Sequence, residues 1–386
     1  MPDYSTNPMR RLVKSNAALF NSGEHLFIGD HIKLSFPDGK PQSAPPRLRL
    51  LNELRLTYGE IAALGGDFYG IPQSPISSAP DPDGAFLNAF ATLSKASEAV
   101  QQAPAIIDIM KNEIRAVQHD VDNGVSYYDA YAKVDNDGDY NVATGGGSFF
   151  SKLLPTGRYL QLAEMNFDHF GKNAMKAYTA GHTAATRVAA GSNGDIDQLE
   201  CAYAMNAFAD HFLSDLFSSG HLRTPRAEIH AAGSAFYQVT KLYDLLSKYM
   251  HDEESYWGLN VQNRDGETWK SFGDTMLFED VDGRNKEMVI AAVQQSADEI
   301  YAAFISRSVP DPSQPKALSI APSLDVITSD RGPPNKSPLF IVDQFGILLR
   351  RTNVDDVNSY DWTRDWTVPT SLVLLEESIK SRMPHR

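Results

Sequence analysis

The chain has 386 residues, of which 42% are hydrophobic and 22% charged, so it is expected to fold as a globular protein with a large buried core. Its net charge of −14 disfavours nucleic acid as a general partner, since an acidic surface repels a phosphate backbone. The single cysteine excludes an intrachain disulfide, and no apolar run approaches the ~18 residues that a transmembrane helix needs.

The N-terminal segment is predicted to be a loose arm over residues 1–20. It lacks the continuous apolar stretch and the cleavage site of a signal peptide. With neither a signal peptide nor a transmembrane segment, the protein is expected to be cytoplasmic or exported by a non-classical route.

The elements predicted after the arm are mainly helices, because apolar residues recur at helical spacing along most of the chain. A short helix runs into a turn at Gly65, and the longer helical segments are predicted at 85–131, 153–190, 196–219, 227–250 and 284–308. A polar, Gly-rich loop is predicted at 134–148 and a small hairpin within 254–280. A Pro/Ser-rich linker then leads into a mixed C-terminal extension, so residues 309–386 form a separate segment. The predicted fold class is mostly α.

One segment carries potential metal ligands at suggestive intervals. In ADHFLSDLFSSGH, residues 209–221, His211 and Asp215 are four residues apart and His221 follows six later. Positions four apart lie on one face of a helix, so the first two could bind one metal ion together. Gly220 can end the helix and let His221 turn back toward them. The alternative is a chance His/Asp pair with a capping histidine.

Further ligand candidates are scattered along the chain beside glycines and aromatic residues. They are His25 in NSGEHLFIGD, Asp67 in GGDFYG, His169 in NFDHFGKN and His251 in KYMHDEES. Neutral imidazoles and carboxylates suit Zn²⁺. His31 is an alternative to His25, and His182 is predicted to be a buried core histidine.

In this order, the residues resemble the zinc-dependent phospholipase C family, whose fold is shared by the S1/P1-type nucleases. HFLSDLFSSGH matches the family's histidine, aspartate and histidine frame, and His169 stands 42 residues before His211. The stretches LTYGEIAALGGDFYG, MHDEES and GLNVQNRDGETWKSFGD are most similar to the branch of phosphatidylcholine-hydrolysing enzymes of fluorescent pseudomonads. The resemblance spans about residues 21–305, and it implies a zinc phospholipase C-like helical domain over 21–308.

The resemblance also implies a ligand set for two or three zinc ions. The first ion would be held by Asp67, His169, His211 and Asp215. The second would be held by His221, His251 and an acid that is either Asp252 or Glu254. A third would use His25 with a bridge from Asp215. Asp67 is also the candidate to orient or deprotonate the attacking water. Arg223 and Arg226 are candidates to contact the substrate phosphate, the alternative being a solvated turn.

The chain departs from the family pattern in three places. Asp67 and His169 are 102 residues apart, so a helical insertion is expected at about 71–150. The family's N-terminal tryptophan ligand has no counterpart here, so a third ion would need another ligand, such as Asp30. Ser255 stands where the family has an acid four residues after its last histidine.

The resemblance implies a zinc phospholipase C that cleaves the glycerol-side phosphodiester of phospholipids such as phosphatidylcholine, yielding diacylglycerol and a phosphorylated headgroup. Transient contact with a membrane surface would accompany that activity, and no nucleic acid partner is expected. The first alternative is a zinc nuclease of the S1/P1 type or another phosphodiesterase. The second is a catalytically silent, metal-stabilised binding protein.

Overall fold

The structure is a computed structural model that describes residues 22–37, 39, 44–147, 156–233, 237–311, 314–327 and 332–382. The predicted arm at 1–20 lies outside these residues. The fold is mostly α-helical, with 58% helix and 7% strand, which confirms the predicted class. Among the described residues, no helix combines the length and the apolar character needed to span a bilayer.

The helices are numbered in chain order. The first eight are α1 Ser22–Asp30, α2 Tyr58–Leu64, α3 Pro82–Ser94, α4 Ala99–Asp122, α5 Tyr127–Tyr131, α6 Asp137–Ala143, α7 Arg158–Glu164 and α8 Gly171–Gly191. They are followed by α9 Ile196–Asp215, α10 Ser219–Leu222, α11 Arg226–Ala232, α12 Tyr237–Trp257, α13 Gly283–Ser306, α14 Ala317–Ile320, α15 Leu324–Ile327 and α16 Val368–Arg382. Single 3₁₀ turns occupy Ile76–Ser78, Phe167–His169 and Asp280–Asp282.

Helix α9 is the centre of the fold. It is apolar on nearly every side and is buried from Ala202 to Asp215, which is typical of a helix surrounded by others. Helices α2, α8 and α13 pack around it. Small residues on α8 allow close approach, since a Cβ on Gly181 would lie 2.3 Å from the Phe86 ring. The last turn of α9 carries two of the predicted ligands, His211 and Asp215, which therefore lie inside the core.

Helices α1 and α2 cross closely beside α9. A Cβ added to Gly29 would lie only 2.4 Å from the Cα of Gly59, so both positions require glycine. Helix α2 begins with a capping box between Thr57 and Glu60, in which each side chain bonds the other's backbone N–H. This crossing brings α1, with His25, against the C-terminal half of α9.

The described residues between Asp67 and His169 are mainly helical, and α3 and α4 pack on the core through α8 and α1. The predicted loop at 134–148 is wrong in part, because α6 occupies Asp137–Ala143. Asp137 and Asp139 fall in the first turn of α6, where negative charge is favourable. Tyr140 is buried against Phe68, at a centroid distance of 4.9 Å. Tertiary burial of this ring favours a helix over the loop that polar composition predicted.

The sheets are small and antiparallel. Strands β1 Leu48–Arg49 and β2 Arg55–Leu56 form one pair, and β3 Leu259–Gln262 with β4 Thr268–Ser271 form the predicted hairpin, which is confirmed. A third sheet has the order β5–β6–β7, with β5 Phe340–Val342, β6 Leu348–Arg351 and β7 Trp362–Thr363.

The C-terminal extension packs on α11 and α12 through a second apolar core. That core consists of Ile229, Leu246, Met250, Leu339, Phe340, Val354, Val368 and Leu375. At its edge the fully buried Arg351 lies 2.9 Å from Glu253 on α12 and donates to the carbonyl of Ser337. The extension is therefore joined to the helix that carries His251.

Breaking this ion pair tests how far the extension supports the fold. Arg351→Met removes the guanidinium that pairs with the buried Glu253 carboxylate, and we expect a loss of about 3–5 kcal/mol in the free energy of unfolding. Urea denaturation measures it. Arg284→Met, which removes the exposed pair with Glu287 on α13, is the matched control and should leave the midpoint unchanged. Equal midpoints for the two variants would contradict the prediction.

Candidate metal centre

Seven of the predicted ligands meet in the core at the C-terminal end of α9. Their nitrogen and oxygen atoms form three groups in which all atoms lie within 4.8 Å of one another. The groups are His25–His211–Asp215, Asp67–His169–His211 and His221–His251–Asp274. Every member is buried. The first two groups share His211, and the third is adjacent to them because its His221 lies 3.0 Å from Asp215.

Asp215 connects the groups. Its Oδ2 lies 3.0 Å from His169 Nδ1, and its Oδ1 lies 3.0 Å from His221 Nδ1. The same carboxylate lies 3.6 Å from His25 Nε2 and 3.7 Å from His211 Nε2. The i, i+4 relation between His211 and Asp215 is therefore realised as the sequence predicted. A carboxylate in this position is suited to bridge two ions.

Contacts on the far side of three imidazoles orient them toward the centre. His211 Nδ1 bonds the carbonyl of Ala62 at 3.0 Å, and His25 Nδ1 bonds Ser214 Oγ at 2.8 Å. His251 Nδ1 bonds Asp252 Oδ1 at 3.1 Å. A bond at one ring nitrogen fixes the tautomer and aims the other nitrogen, here Nε2, at the ligand position.

The acid that accompanies His251 is Asp274, which the sequence analysis missed. Asp274 Oδ2 lies 3.0 Å from His251 Nε2, and its Oδ1 accepts from Ser218. Asp252 contacts the opposite nitrogen of His251 and orients the ring, so its prediction as a ligand is corrected to a supporting contact. Asp274 follows β4 and stands 23 residues after His251, a separation that predicts no contact.

Glu254, the other acid predicted for this ion, faces away from the centre. It accepts two hydrogen bonds from Arg223, at 2.8 and 2.9 Å. Arg223 also donates to the carbonyl of Lys336. Both the Glu254 and the Arg223 predictions are therefore corrected, since each side chain already satisfies the other.

Arg226 is also held by the protein itself. It pairs with Asp244 and donates to Asn166 Oδ1 at 3.0 Å and to the carbonyl of Glu164. These bonds occupy the guanidinium on a buried side chain, so the predicted contact with substrate phosphate is corrected to a structural role.

The positions of His25, His31 and Asp30 show which of these residues could hold a third ion. His25 belongs to the centre, whereas His31 is exposed and bonds the carbonyl of Phe27. Asp30 accepts from Thr57 Oγ1 and lies outside the three groups. His182 lies in the core bonded to Asn206 at 2.7 Å, as predicted for a core histidine.

Burial and neighbouring charges shift the pKa values of the ligands in both directions, and they leave His25, His211 and Asp215 in the form that binds a cation. Burial lowers the pKa of His25 to about 4 and that of His211 well below its ordinary value, so both are neutral at pH 7. Burial alone would raise the pKa of Asp215, but His169 and His221 hold it well below the ordinary value. Burial would lower the pKa of His169, yet Asp215 raises it to about 9.

Buried polar atoms support the fit of a metal to this centre. Asp67 Oδ1, Asp215 Oδ2, His251 Nε2 and Asp274 Oδ2 are buried and make no hydrogen bond among the described residues. His251 Nε2 and Asp274 Oδ2 approach to 3.0 Å without bonding geometry, as two ligands aimed at one point do. Such atoms are costly unless a cation satisfies them. The imidazole and carboxylate donors fit zinc.

Two openings flank the centre. A small one of about 30 Å³ is lined by Gly66, His169 and Phe212. A larger one of about 150 Å³, the α12 cleft, lies between α7 and α12 and ends at His251. The centre is thus buried yet bordered by space on both sides.

The turn that delivers Asp67 depends on one glycine. Gly66 has φ 67°, and a Cβ there would lie 2.5 Å from His211 Nε2 and 3.0 Å from His169 Cε1. Only glycine allows the backbone to approach the ligand atoms this closely. The GGD sequence is therefore part of the centre.

Comparisons of the chain with protein-family models, with curated proteins and with solved structures find no match. The function of the centre is therefore inferred from its own residues.

If the centre holds zinc, Gly66→Ala is expected to reduce it, because the added methyl occupies the space beside His211 Nε2. Zinc per chain, measured by elemental analysis, should fall by at least one. Gly124→Ala is the matched control, since Gly124 also has a positive φ but nothing within 4 Å of a Cβ. Full zinc content in Gly66→Ala would show that the turn is not part of the site.

The acid near His251 can be identified by three variants. Asp274→Asn should lose about one zinc per chain, since a ligand is removed. Asp252→Asn should keep the ion at saturation but weaken its affinity about 10–100-fold. Glu254→Gln should change neither the zinc content nor the zinc affinity. Zinc titration against a competing chelator distinguishes them, and loss of the ion only in Glu254→Gln would reverse the assignment.

Proposed function

We propose that this protein is a zinc-dependent phosphodiester hydrolase, and specifically a phospholipase C that releases diacylglycerol and a phosphorylated headgroup. The observation that carries the proposal is that two ligand groups share His211 and that Asp215 of the first group lies 3.0 Å from His221 of the third, so the possible ion positions are neighbours. Adjacent ions suit the attacking and leaving oxygens of a phosphodiester. The centre would hold two or three zinc ions.

Bound zinc supplies two things to this reaction: neutralisation of the phosphodiester oxygens, and water whose pKa is lowered to roughly 7. The residues of the chain hold the centre together and limit its access to water. Asp215 and the imidazoles keep the centre compact, and the surrounding apolar side chains, such as Phe170 and Phe212, exclude bulk water. The ring of Phe170 lies 4.7 Å from that of His221.

Asp67 is the proposed group for handling the proton of the attacking water. Its Oδ1 lies 3.9 Å from His169 Nε2 and 3.8 Å from His211 Nε2, and its Oδ2 accepts from Ser22. Asp67 Oδ1 therefore lies in the centre, while Asp67 Oδ2 is held by the hydrogen bond from Ser22. The same position suits a ligand, so the two roles are separated by experiment.

A phospholipid is favoured over nucleic acid as the substrate. The net charge of −14 opposes a polyanionic partner. Both arginines beside the second ligand group are paired with acids of the chain, so neither adds a free cation for a phosphate backbone. Transient contact with a membrane surface is part of the proposal.

The proposed activity is tested directly with two classes of substrate, phospholipids and nucleic acids. Zinc-loaded protein should hydrolyse short-chain phosphatidylcholine and phosphatidylethanolamine faster than single-stranded DNA or RNA, and a chelator should abolish turnover. Release of the phosphorylated headgroup and release of nucleotides are measured in parallel. Faster cleavage of nucleic acid would support the nuclease alternative, and turnover of neither by protein with two or three zinc ions would support the binding protein.

Asp67→Asn separates a proton-transfer role from a ligand role. For a general base we expect kcat to fall by about 10²–10⁴ with zinc content unchanged. For a ligand, zinc content falls as well. Kinetics and elemental analysis on the same preparation give the answer, and unchanged kcat would exclude both roles.

A further inference from the structure

The α12 cleft has a polar wall that leads to the metal centre. Lys241, Asp244, Lys248 and His251 lie three or four residues apart on α12, so they share one face of the helix. Ser247 lines the cleft beside them. The last member, His251, is also a ligand of the candidate centre. A group bound along this face would lie next to the reacting phosphate.

The charges that line the cleft are balanced. Lys241 lies 3.4 Å from Glu164, Lys248 lies 2.9 Å from Asp252, and Arg226 pairs with Asp244. Both signs of charge are therefore present in pairs along the walls. A lining of this kind complements a group that carries both charges better than an anion or a cation alone.

Ser247 offers an unsatisfied polar atom in this cleft. Its side chain is 1% exposed, and its Oγ makes no hydrogen bond within the described part of the chain. A buried hydroxyl without a bond costs free energy that a ligand can recover. This atom lies on the residue one helical turn before His251.

The size and lining of the cleft suit a small polar group. Its volume of about 150 Å³ holds a group of several heavy atoms, since a single water needs ~15 Å³. Nine of the twelve described lining residues are polar or charged, and Phe170 is the one phenylalanine, tyrosine or tryptophan among them. A quaternary ammonium lacks N–H donors and is recognised by several aromatic rings. A primary ammonium instead needs acceptors, which Ser247 and the carboxylates provide.

We propose that the α12 cleft binds the headgroup of a zwitterionic phospholipid with a primary ammonium, directing the phosphate toward His251 and the ammonium toward Ser247. This inference rests on the proposed phospholipase activity and specifies its substrate. The cleft binds ethanolamine-type headgroups more tightly than choline-type ones.

The test measures binding of the product headgroups and so needs no turnover. Zinc-loaded protein is titrated calorimetrically with phosphoethanolamine, phosphocholine and inorganic phosphate. Phosphoethanolamine should bind at least about tenfold more tightly than the other two, because its ammonium adds charge-assisted hydrogen bonds. Equal affinities, tighter binding of phosphocholine, or binding of none would overturn the proposal.

Ser247→Ala should weaken phosphoethanolamine binding about tenfold and leave inorganic phosphate binding and zinc content unchanged. Ser94→Ala is the matched control, since Ser94 is also 1% exposed with an unbonded Oγ but lies at the end of α3, outside the cleft. An unaltered affinity in Ser247→Ala would remove the serine from the site.

The two proposals fail differently. If phosphoethanolamine binds with this pattern and neither lipid is hydrolysed, the headgroup site stands without the phospholipase activity. If lipids are hydrolysed and the headgroups bind equally, the activity stands and the cleft assignment falls.

Discussion

Asp215 is a carboxylate buried at the end of the central helix, and the arrangement around it follows from the need to keep that charge compensated. An isolated ion in a core costs many kcal/mol, so the surrounding imidazoles must lie close. His169 and His221 approach it to 3.0 Å, which holds its pKa low. The same crowding of donors creates the positions that cations can fill. Stability of the core and binding of metal are thus coupled through one side chain.

Helix α12 distributes its contacts among several parts of the fold. His251 contacts Asp274, and the next residue, Asp252, contacts Lys248 and His251. Glu253 then contacts Arg351, and Glu254 contacts Arg223. One helical turn therefore connects the metal centre, the cleft, the C-terminal extension and the loop after α10. The acids in MHDEES serve mainly to hold this turn in place. They orient a ligand and join the extension to it, while the ligating carboxylate comes from elsewhere.

A buried histidine is not a metal ligand by burial alone, as His182 shows. It lies in a hydrogen-bonded network on the far side of α9 with Asn206, Asp210 and Ser296. There Asn206 satisfies the ring, and the neighbouring hydroxyls satisfy the carboxylate. In the candidate centre, by contrast, Asp67 Oδ1, Asp215 Oδ2 and Asp274 Oδ2 converge with His251 Nε2 on the ligand positions and make no hydrogen bond among the described residues. The distinction lies in which atoms remain unsatisfied after the chain has folded.

The sequence alone determined the mostly α fold and most of the centre, because helical periodicity and the four-residue spacing of His211 and Asp215 are local properties. It also singled out His25, Asp67, His169 and His251 by their glycine and aromatic neighbours, and His221 by its spacing from Asp215. Only the tertiary structure decided that Asp274 replaces Asp252 and Glu254, and that Arg223 and Arg226 are occupied. Those outcomes depend on which side chains meet across long separations, and packing rather than spacing decides such contacts.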